Sequence, residues 1–281
     1  MDTSFLSDEK VIEASRNFVC IRLATYEDDA EAEFLRTVYV SREGDLENTV
    51  FVLLSPDTKE NLCRPGRGPQ FAYSSPRDLA AGMDEIAKNY QPIERSSGAN
   101  PKLPQLKDVR LGLNVSSCDG LPSVICVARS DIEAIKMQAA LAPLAFCDEL
   151  AGKFVYSTTT NPDELKTIKN YQGDSGYLIV NPGEFGIDGV LIGRFEIGSE
   201  TPELKTAMIE YANGVAKVQK NHSAHVRKGM QNGKNWKTEI PVEDKNSNRA
   251  MGHRKQRLQA EGSGSSRRDG PDSAGSPRRG N

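Results

Sequence analysis

Paired cysteines, histidines and long apolar runs are scarce in this chain of 281 residues. No Cys-x-x-Cys pair occurs among its five cysteines, so a zinc ribbon and a dithiol redox motif are both excluded. An odd number of cysteines in a chain of this length does not suit a disulfide framework either. No apolar run reaches the roughly 18 to 20 residues that span a bilayer, which excludes a transmembrane protein.

Histidine is absent from the body of the chain. His222, His225 and His253 all lie in a polar C-terminal segment. A Ser-His-Asp or Cys-His catalytic site in the folded body therefore has no histidine available to it. The spacing of His222 and His225 would suit a metal on a helix, but two ligands in a polar segment are weak evidence for a site. We expect neither a metal nor a cofactor.

The C-terminal segment also differs in composition. Residues 217–281 hold 12 apolar residues in 65, and their 15 basic side chains face 6 acidic ones, a net charge of +9. The rest of the chain has 21 basic and 33 acidic side chains, a net charge of −12. So few apolar residues cannot form a core, which predicts a disordered basic tail over residues 216–281. The tail either solubilises the chain or binds a polyanion weakly and in a salt-sensitive way.

The start of the chain carries no targeting signal. Residues 1–6 lack both a basic segment and a long apolar run, so they do not form a secretory signal peptide. We expect a cytoplasmic protein, or a periplasmic or secreted one if the true start lies upstream.

The first half has the pattern of an α/β unit. Helices are predicted over residues 8–16, 27–39 and 76–90, the last beginning after Ser75 with a proline in its first turn. A continuous apolar run predicts a strand at residues 18–24 that is buried on both faces. A second strand at 49–54 is expected to turn at Pro56 and return as a hairpin over residues 60–63.

A linker and a second α/β unit are predicted to follow. Residues 91–107 are rich in proline, glycine and serine, which is typical of a linker between units 1–90 and 108–215. A capping box of Ser130 and Glu133 predicts a helix over residues 130–151, kinked at Pro143. Further helices are expected from residue 161 and over 202–212. The predicted strands are 109–115, 122–128, 154–157, 177–180 and 190–195.

The element order of both halves resembles the thioredoxin fold. Residues 6–11, 17–23 and 48–57 are similar to stretches that follow the active-site helix and the cis-proline in thioredoxin-like proteins. This likeness covers residues 5–90, and residues 109–213 share the element order alone. The resemblance implies two degenerate thioredoxin-like units in tandem, the first of which lacks its first strand and active-site motif.

The diagnostic residues of that family are missing. The strand-to-helix loop of the second half, residues 126–131, has Ser130 at the cap and no cysteine pair. The family's cis-proline position is Asn48 in the first half and lies near Ser175 or Gly176 in the second. The resemblance therefore implies a fold and transfers no catalytic residue. Cys118, in a glycine-bearing turn, and Cys63, whose neighbour Arg64 favours a thiolate, remain the candidate reactive thiols.

Two hypotheses about function follow from these observations. The first is a non-catalytic thioredoxin-like binding or scaffold protein with a protein partner. The second is a thiol-dependent redox protein, either a thiol-disulfide oxidoreductase or a peroxide-handling protein. It would use a single cysteine or a motif missing from this chain start. Because the dithiol is missing, we expect a binding protein rather than an enzyme.

Overall fold

The chain divides into two compact units. A computed structural model describes residues 4–42, 44–47, 49–90, 101–198, 201–214 and 221–234, with the single residues 252 and 256. One unit comprises Met1–Pro92 with Lys237–Asn281, and the other comprises Ile93–Trp236. Both contain helices, and the second is built on a mixed sheet, so the chain is an α/β protein.

Three helices form the framework of the first unit: α1 (Glu9–Ser15), α2 (Asp29–Val38) and α3 (Pro76–Lys88). Each begins at a residue whose side chain accepts hydrogen bonds from first-turn N–H groups, and these caps are Asp8, Asp28 and Ser75. The helices predicted at residues 8–16, 27–39 and 76–90 are thus confirmed.

A small core joins α1 and α3 to a short hairpin. Val11 of α1 and Leu79 and Met83 of α3 are buried against Leu53. The hairpin is antiparallel, with isolated bridges between Phe51 and Gly66 and between Leu54 and Asn61. The turn and return predicted after residue 54 are therefore confirmed, although neither arm extends into a longer strand.

The strand predicted at residues 18–24 is wrong. This segment has no regular secondary structure and pairs with no neighbouring strand among the described residues. Val19 is 88% exposed and Ile21 is 65% exposed, so the run is not buried on either face. A high β-propensity marks residues that fit a pleated, half-buried surface, and it forms no strand where no partner lies alongside.

A six-stranded sheet forms the centre of the second unit. Its strands are β1 (Gln105–Leu106), β2 (Ser123–Val127), β3 (Val155–Thr159), β4 (Ile168–Lys169), β5 (Gly176–Pro182) and β6 (Gly189–Phe195). The order is β1-β3-β2-β5-β6-β4. β1, β3 and β2 are parallel to one another, β5 is antiparallel to both β2 and β6, and β4 is parallel to β6.

Helices cover both faces of this sheet. α4 (Val109–Asp119) packs on one face together with a 3-10 turn (Pro162–Leu165). α5 (Asp131–Ala145) and α6 (Thr201–Gly214) pack on the other. Side chains alternate along β2, so that Ile125 joins the first core and Cys126 the second. No helix in the described residues is long and apolar enough to cross a membrane.

The second unit corrects two predictions. Residues 109–115, predicted to be a strand, lie in α4, which begins after Asp108, whose carboxylate accepts from the Leu111 N–H at 2.6 Å. The alternation of Val109, Leu111 and Leu113 suggested a strand, but a helix that is buried over a wide face can have the same alternating apolar pattern. Part of the predicted linker, residues 105–106, is β1 instead; residues 91–100 lie outside the described residues.

One further helix, α7 (His222–Gln231), falls within the predicted tail. Its cap is Asn221, whose side chain accepts from the Ala224 N–H at 3.0 Å. The sequence did not predict this helix. The remainder of the predicted tail lies outside the described residues, apart from residues 232–234, 252 and 256.

Candidate functional site

A cleft opens at the edge of the sheet where β2 and β3 end. It has a volume of about 550 Å³ and is bounded by the ends of four strands. β2 and β3 contribute their carboxyl ends, β5 its amino end and β6 its carboxyl end, because β5 runs antiparallel to β2 and β6. Ligands of open α/β sheets bind outside the carboxyl ends of the parallel strands, so this cleft is the candidate binding site.

The floor of the cleft includes the start of α5. Ser130 caps the helix, and its Oγ accepts from the Glu133 N–H at 3.3 Å. The Glu133 carboxylate turns back to accept from the Arg129 N–H at 2.6 Å, one residue before the cap. The predicted cap is thus confirmed, with the return bond shifted from Ser130 to Arg129. These two bonds fix the loop that joins β2 to α5.

The opposite wall is held by Arg194 at the end of β6. Its Nη1 lies 3.1 Å from the Asp174 carboxylate, and its Nη2 donates to the Ser175 carbonyl at 3.3 Å. The Tyr171 hydroxyl donates to the Asp174 carbonyl at 3.2 Å, and burial raises the pKa of this phenol. Tyr171 therefore stays neutral near pH 7 and keeps its proton for that bond. Together these contacts fix the loop that precedes β5.

Gly176 allows β5 to begin where it does. Its φ is +141°, in a region that L side chains rarely adopt, and a Cβ atom there would clash with the Phe195 carbonyl oxygen. Gly176 and Ser175 lie where the resemblance places the family's cis-proline, and the described chain has no cis peptide bond. Glycine at this position thus lets β5 and β6 approach closely at the mouth of the cleft.

Charge in the cleft is mixed. Arg194 is neutralised by Asp174, whereas the Arg129 guanidinium makes no ion pair with any described residue. Glu133 and Glu196 also line the cleft. The surroundings therefore suit a polar ligand that carries both signs of charge, rather than a simple anion.

No cysteine or histidine lines the cleft within the described part of the chain. Cys126 is the nearest thiol in sequence, since Val127 is a lining residue. The Cys126 side chain is fully buried in the core between the sheet and helices α5 and α6, and burial raises its pKa to about 12. A thiol with that pKa is protonated at neutral pH, so Cys126 supplies no nucleophile to the cleft.

The two candidate thiols lie elsewhere and in different units. Cys63 is half-buried in the hairpin of the first unit, where its Sγ accepts from the Leu53 N–H at 3.2 Å. Burial raises the pKa of this thiol, which opposes the thiolate that Arg64 was expected to favour. Cys118 is exposed in the last turn of α4. Because α4 ends just before β2 begins, Cys118 lies at the sheet edge opposite the cleft.

Among the described residues, no cluster of side chains that could hold a metal ion occurs. The His225 ring stacks on Phe185, with ring centroids 5.0 Å apart and planes at 25°. Its Nδ1 lies 3.9 Å from the Glu184 carboxylate. His225 thus helps to hold α7 on the second unit.

Local sequence signals predict one side of the cleft and give no indication of the other. The Ser130 cap and the loop after β2 were found from the capping box. Tyr171, Asp174 and Arg194 were missed because they come from loops and an antiparallel strand, which carry no periodic signal. An aromatic residue and an aspartate shortly before a buried strand were the only available hints.

Comparison with known proteins assigns no family to this arrangement. No protein-family model, no curated protein and no solved structure matches the chain.

Proposed function

We propose that the chain is a non-catalytic thioredoxin-like binding protein, and that the cleft of its second unit holds a segment of a partner protein. One observation carries the proposal: the cleft lies at the loop from β2 to α5, which holds Arg129, Ser130 and Glu133. The resemblance implies a dithiol at this loop in the family. Such a cleft can bind a ligand but has no thiol with which to exchange disulfides.

The fold of the second unit supports this proposal. The resemblance implies parallel βαβ units followed by an antiparallel hairpin and a helix. The second unit has the same order of elements along the chain: β1-α4-β2-α5-β3, then β5-β6 and α6. Within the sheet these strands lie in the order β1-β3-β2-β5-β6. Pro143 lies inside α5, as in the kinked helix of the family. For the first unit, support for a thioredoxin-like fold comes from its sequence stretches alone, because its described residues form two isolated bridges and no strand.

The character of the cleft supports a peptide as its ligand. It is open to solvent, and its walls are loops with polar side chains and main-chain groups. Enclosed apolar pockets suit small molecules, whereas an open polar groove suits an extended chain that hydrogen-bonds along its length. We therefore expect a polar peptide segment that has at least one carboxylate near Arg129.

The proposal can be tested with peptides selected from a phage-displayed random library on the full chain. Thr160 is exposed on the cleft wall, so Thr160→Trp fills the cleft without disturbing the core. Thr206→Trp adds the same bulk on the exposed side of α6 and serves as the matched control. We expect the selected peptides to bind Thr160→Trp at least about tenfold more weakly, a change of about 1.4 kcal/mol, and Thr206→Trp unchanged.

Two results would contradict the proposal. One is a failure to select any binding peptide. The other is equal affinity for both tryptophan variants, which would place the peptide site elsewhere.

The alternative is a thiol-dependent redox protein, and the exposure of Cys118 favours it. Insulin reduction by dithiothreitol distinguishes the two functions. A binding protein leaves the rate at its uncatalysed value. Turnover well above that rate, lost in Cys118→Ser or Cys63→Ser, would replace the binding function with a single-thiol mechanism.

A further inference from the structure

The outer face of α5 is apolar, although it points to solvent. Its inner face is buried in the core through Ala134, Met137 and Leu141. On the outer face Ile132 is 69% exposed and Ile135 is 65% exposed. A helix that is apolar all round is normally covered on both sides, so this outer face indicates an interaction surface.

The apolar residues of this outer face form one stripe that continues past the end of the helix. Its members are Ile132, Ile135, Ala139, Pro143 and Phe146, and all are exposed. Phe146, which follows the last helical residue, is 46% exposed. Asp131 and Lys136 are the charged residues exposed beside the stripe within α5.

The spacing of the stripe is symmetric about Ala139. Ile132 and Ile135 precede Ala139 by seven and four residues, and Pro143 and Phe146 follow it by four and seven. A two-fold rotation about an axis through Ala139, perpendicular to the helix, therefore superimposes the positions of the stripe on one another. A two-fold interface requires this property, because the same patch must serve both partners.

We infer that a second copy of the chain packs on this face, with the two α5 helices antiparallel and the two-fold axis at Ala139. Ile132 of one copy then packs against Phe146 of the second copy, and Ile135 against the second copy's Pro143. The small side chain of Ala139 at the crossing point lets the two helices approach closely.

Charge favours the same antiparallel arrangement. Asp148 and Glu149 are exposed just beyond the carboxyl end of the stripe, and Glu149 already pairs with Lys205 at 2.9 Å. The antiparallel arrangement brings Asp148 beside Arg129 of the second copy and the amino end of its α5. Asp131 shares that end, so the attraction comes from Arg129 and the positive end of the helix dipole.

The size of the stripe sets the strength of the contact. Stable interfaces bury roughly 1,200 to 2,000 Å² in total, and three large, partly exposed side chains per copy supply less than this. The dimer is therefore weak and reversible. It forms as the protein concentration rises, and the monomer predominates in dilute solution.

Sedimentation equilibrium of the full chain tests the inference. We expect the weight-average mass to rise from 30.8 kDa towards twice that value as the concentration approaches about 1 mM. Ile135→Glu should abolish the rise, because a charge would be buried at the contact. Ile12→Glu places the same charge on an exposed isoleucine of α1 and should leave the rise unchanged.

Cross-linking tests the orientation. In a background of Cys20→Ser, Cys118→Ser and Cys147→Ser, which removes the exposed thiols and the half-buried thiol beside Phe146, Ala139→Cys should give a covalent dimer on mild oxidation. Ile132→Cys alone should give none, because its counterpart lies at the far end of the partner's stripe. A chain that stays monomeric at all concentrations, or a dimer that Ile135→Glu leaves intact, would overturn the inference. Cross-linking of Ile132→Cys but not of Ala139→Cys would overturn the antiparallel arrangement.

Discussion

At the scale of single residues, Gly176 shows how the candidate site depends on local backbone geometry. We expect Gly176→Ala to destabilise the second unit by about 2 to 4 kcal/mol. The variant must hold a side chain at a φ of +141°, and its Cβ meets the Phe195 carbonyl oxygen. Since the main chain on both sides is fixed by the pairing of β5 with β6, it cannot move away. Urea unfolding measures the change.

Gly173 supplies the matched control for this substitution. It lies in the same loop with a φ of +94°, but a Cβ atom there would meet nothing within 4 Å. Gly173→Ala should therefore cost only the strain of its backbone, about 1 kcal/mol. Equal losses for the two variants would show that the clash at Gly176 contributes nothing.

Buried acidic protons make stability fall at high pH. Burial raises the pKa of Cys126 and of Tyr177 to about 12, and it raises the pKa of Tyr156 as well. Above about pH 9 the unfolded chain loses these protons while the folded chain keeps them, so stability declines as the pH rises. Each such group contributes a slope of about 1.4 kcal/mol per pH unit between its two pKa values.

Cys126→Ala isolates one of these contributions. Urea unfolding at about pH 8 and about pH 10.5 should show a smaller loss of stability in the variant than in the parent chain. The stability of the variant at about pH 8 is lower by about 1 kcal/mol, because the smaller side chain leaves a cavity. A parent chain that is equally stable at both pH values would contradict the burial of these groups.

At the scale of elements, α7 depends on its contacts for its structure. An isolated ten-residue helix is marginal in water, so α7 needs the surface on which it packs. The Phe185 ring stacks on His225, and a Cβ atom at Gly229 would come 3.2 Å from that ring. The Lys228 ammonium donates to both oxygens of Glu184 at 2.8 Å.

We expect Phe185→Ala to speed amide hydrogen exchange across α7 by about tenfold or more, which corresponds to about 1.4 kcal/mol. Lys228→Ala should have a smaller effect, because an exposed ion pair contributes less than about 1 kcal/mol. Arg227→Ala, on the exposed side of the same helix, is the control. Exchange that is unchanged in Phe185→Ala would show that the ring does not hold α7.

The sequence predicts the start of a helix best where the helix carries its own start signal. α5 begins at the Ser130 cap, and α3 begins at Ser75 with Pro76. The start of α4 was predicted as a strand because Asp108 was overlooked as its cap, and the alternation of Val109, Leu111 and Leu113 fits both structures. β1 has only two residues and follows a proline-rich stretch, so no periodicity could show it.

The candidate site was predictable only where it coincides with such a signal. The loop from β2 to α5 lies between a buried strand and a helix cap, and it was identified. Arg194 contributes to the cleft only because β5 and β6 return antiparallel beside β2. That pairing joins strands that are distant in sequence, and no local feature of the sequence around Arg194 predicts it.

At the scale of the whole molecule, charge is divided along the chain. Residues 1–216 carry a net charge of −12, and residues 217–281 carry +9. The acidic body therefore attracts the basic segment and competes with any external anion for it. The described helix α7 already shows such an attraction, since its Lys228 pairs with Glu184 of the body.

This competition predicts weak polyanion binding with a steep salt dependence. Heparin, used as the probe, should bind the full chain in low salt and dissociate as the salt concentration rises, because binding releases counterions. The Debye length shortens from about 30 Å at 0.01 M salt to about 10 Å at 0.1 M, which screens exposed charges from one another. Fluorescence anisotropy with labelled heparin over a salt series gives the dissociation constants.

The basic residues beyond α7 provide the decisive variant. Replacing Arg254, Lys255 and Arg257 by glutamine removes three positive charges and changes no residue of α7 or of residues 1–216. We expect this variant to bind heparin more weakly and with a shallower salt slope, since the slope follows the number of neutralised anionic groups. Replacing three basic residues of the body, Arg16, Lys59 and Arg77, by glutamine is the matched control. It makes the body more acidic and so lowers the affinity for heparin slightly, but it should leave the salt slope unchanged. Binding that does not respond to salt, or that only the body variant weakens, would show that the C-terminal segment is not the anion site.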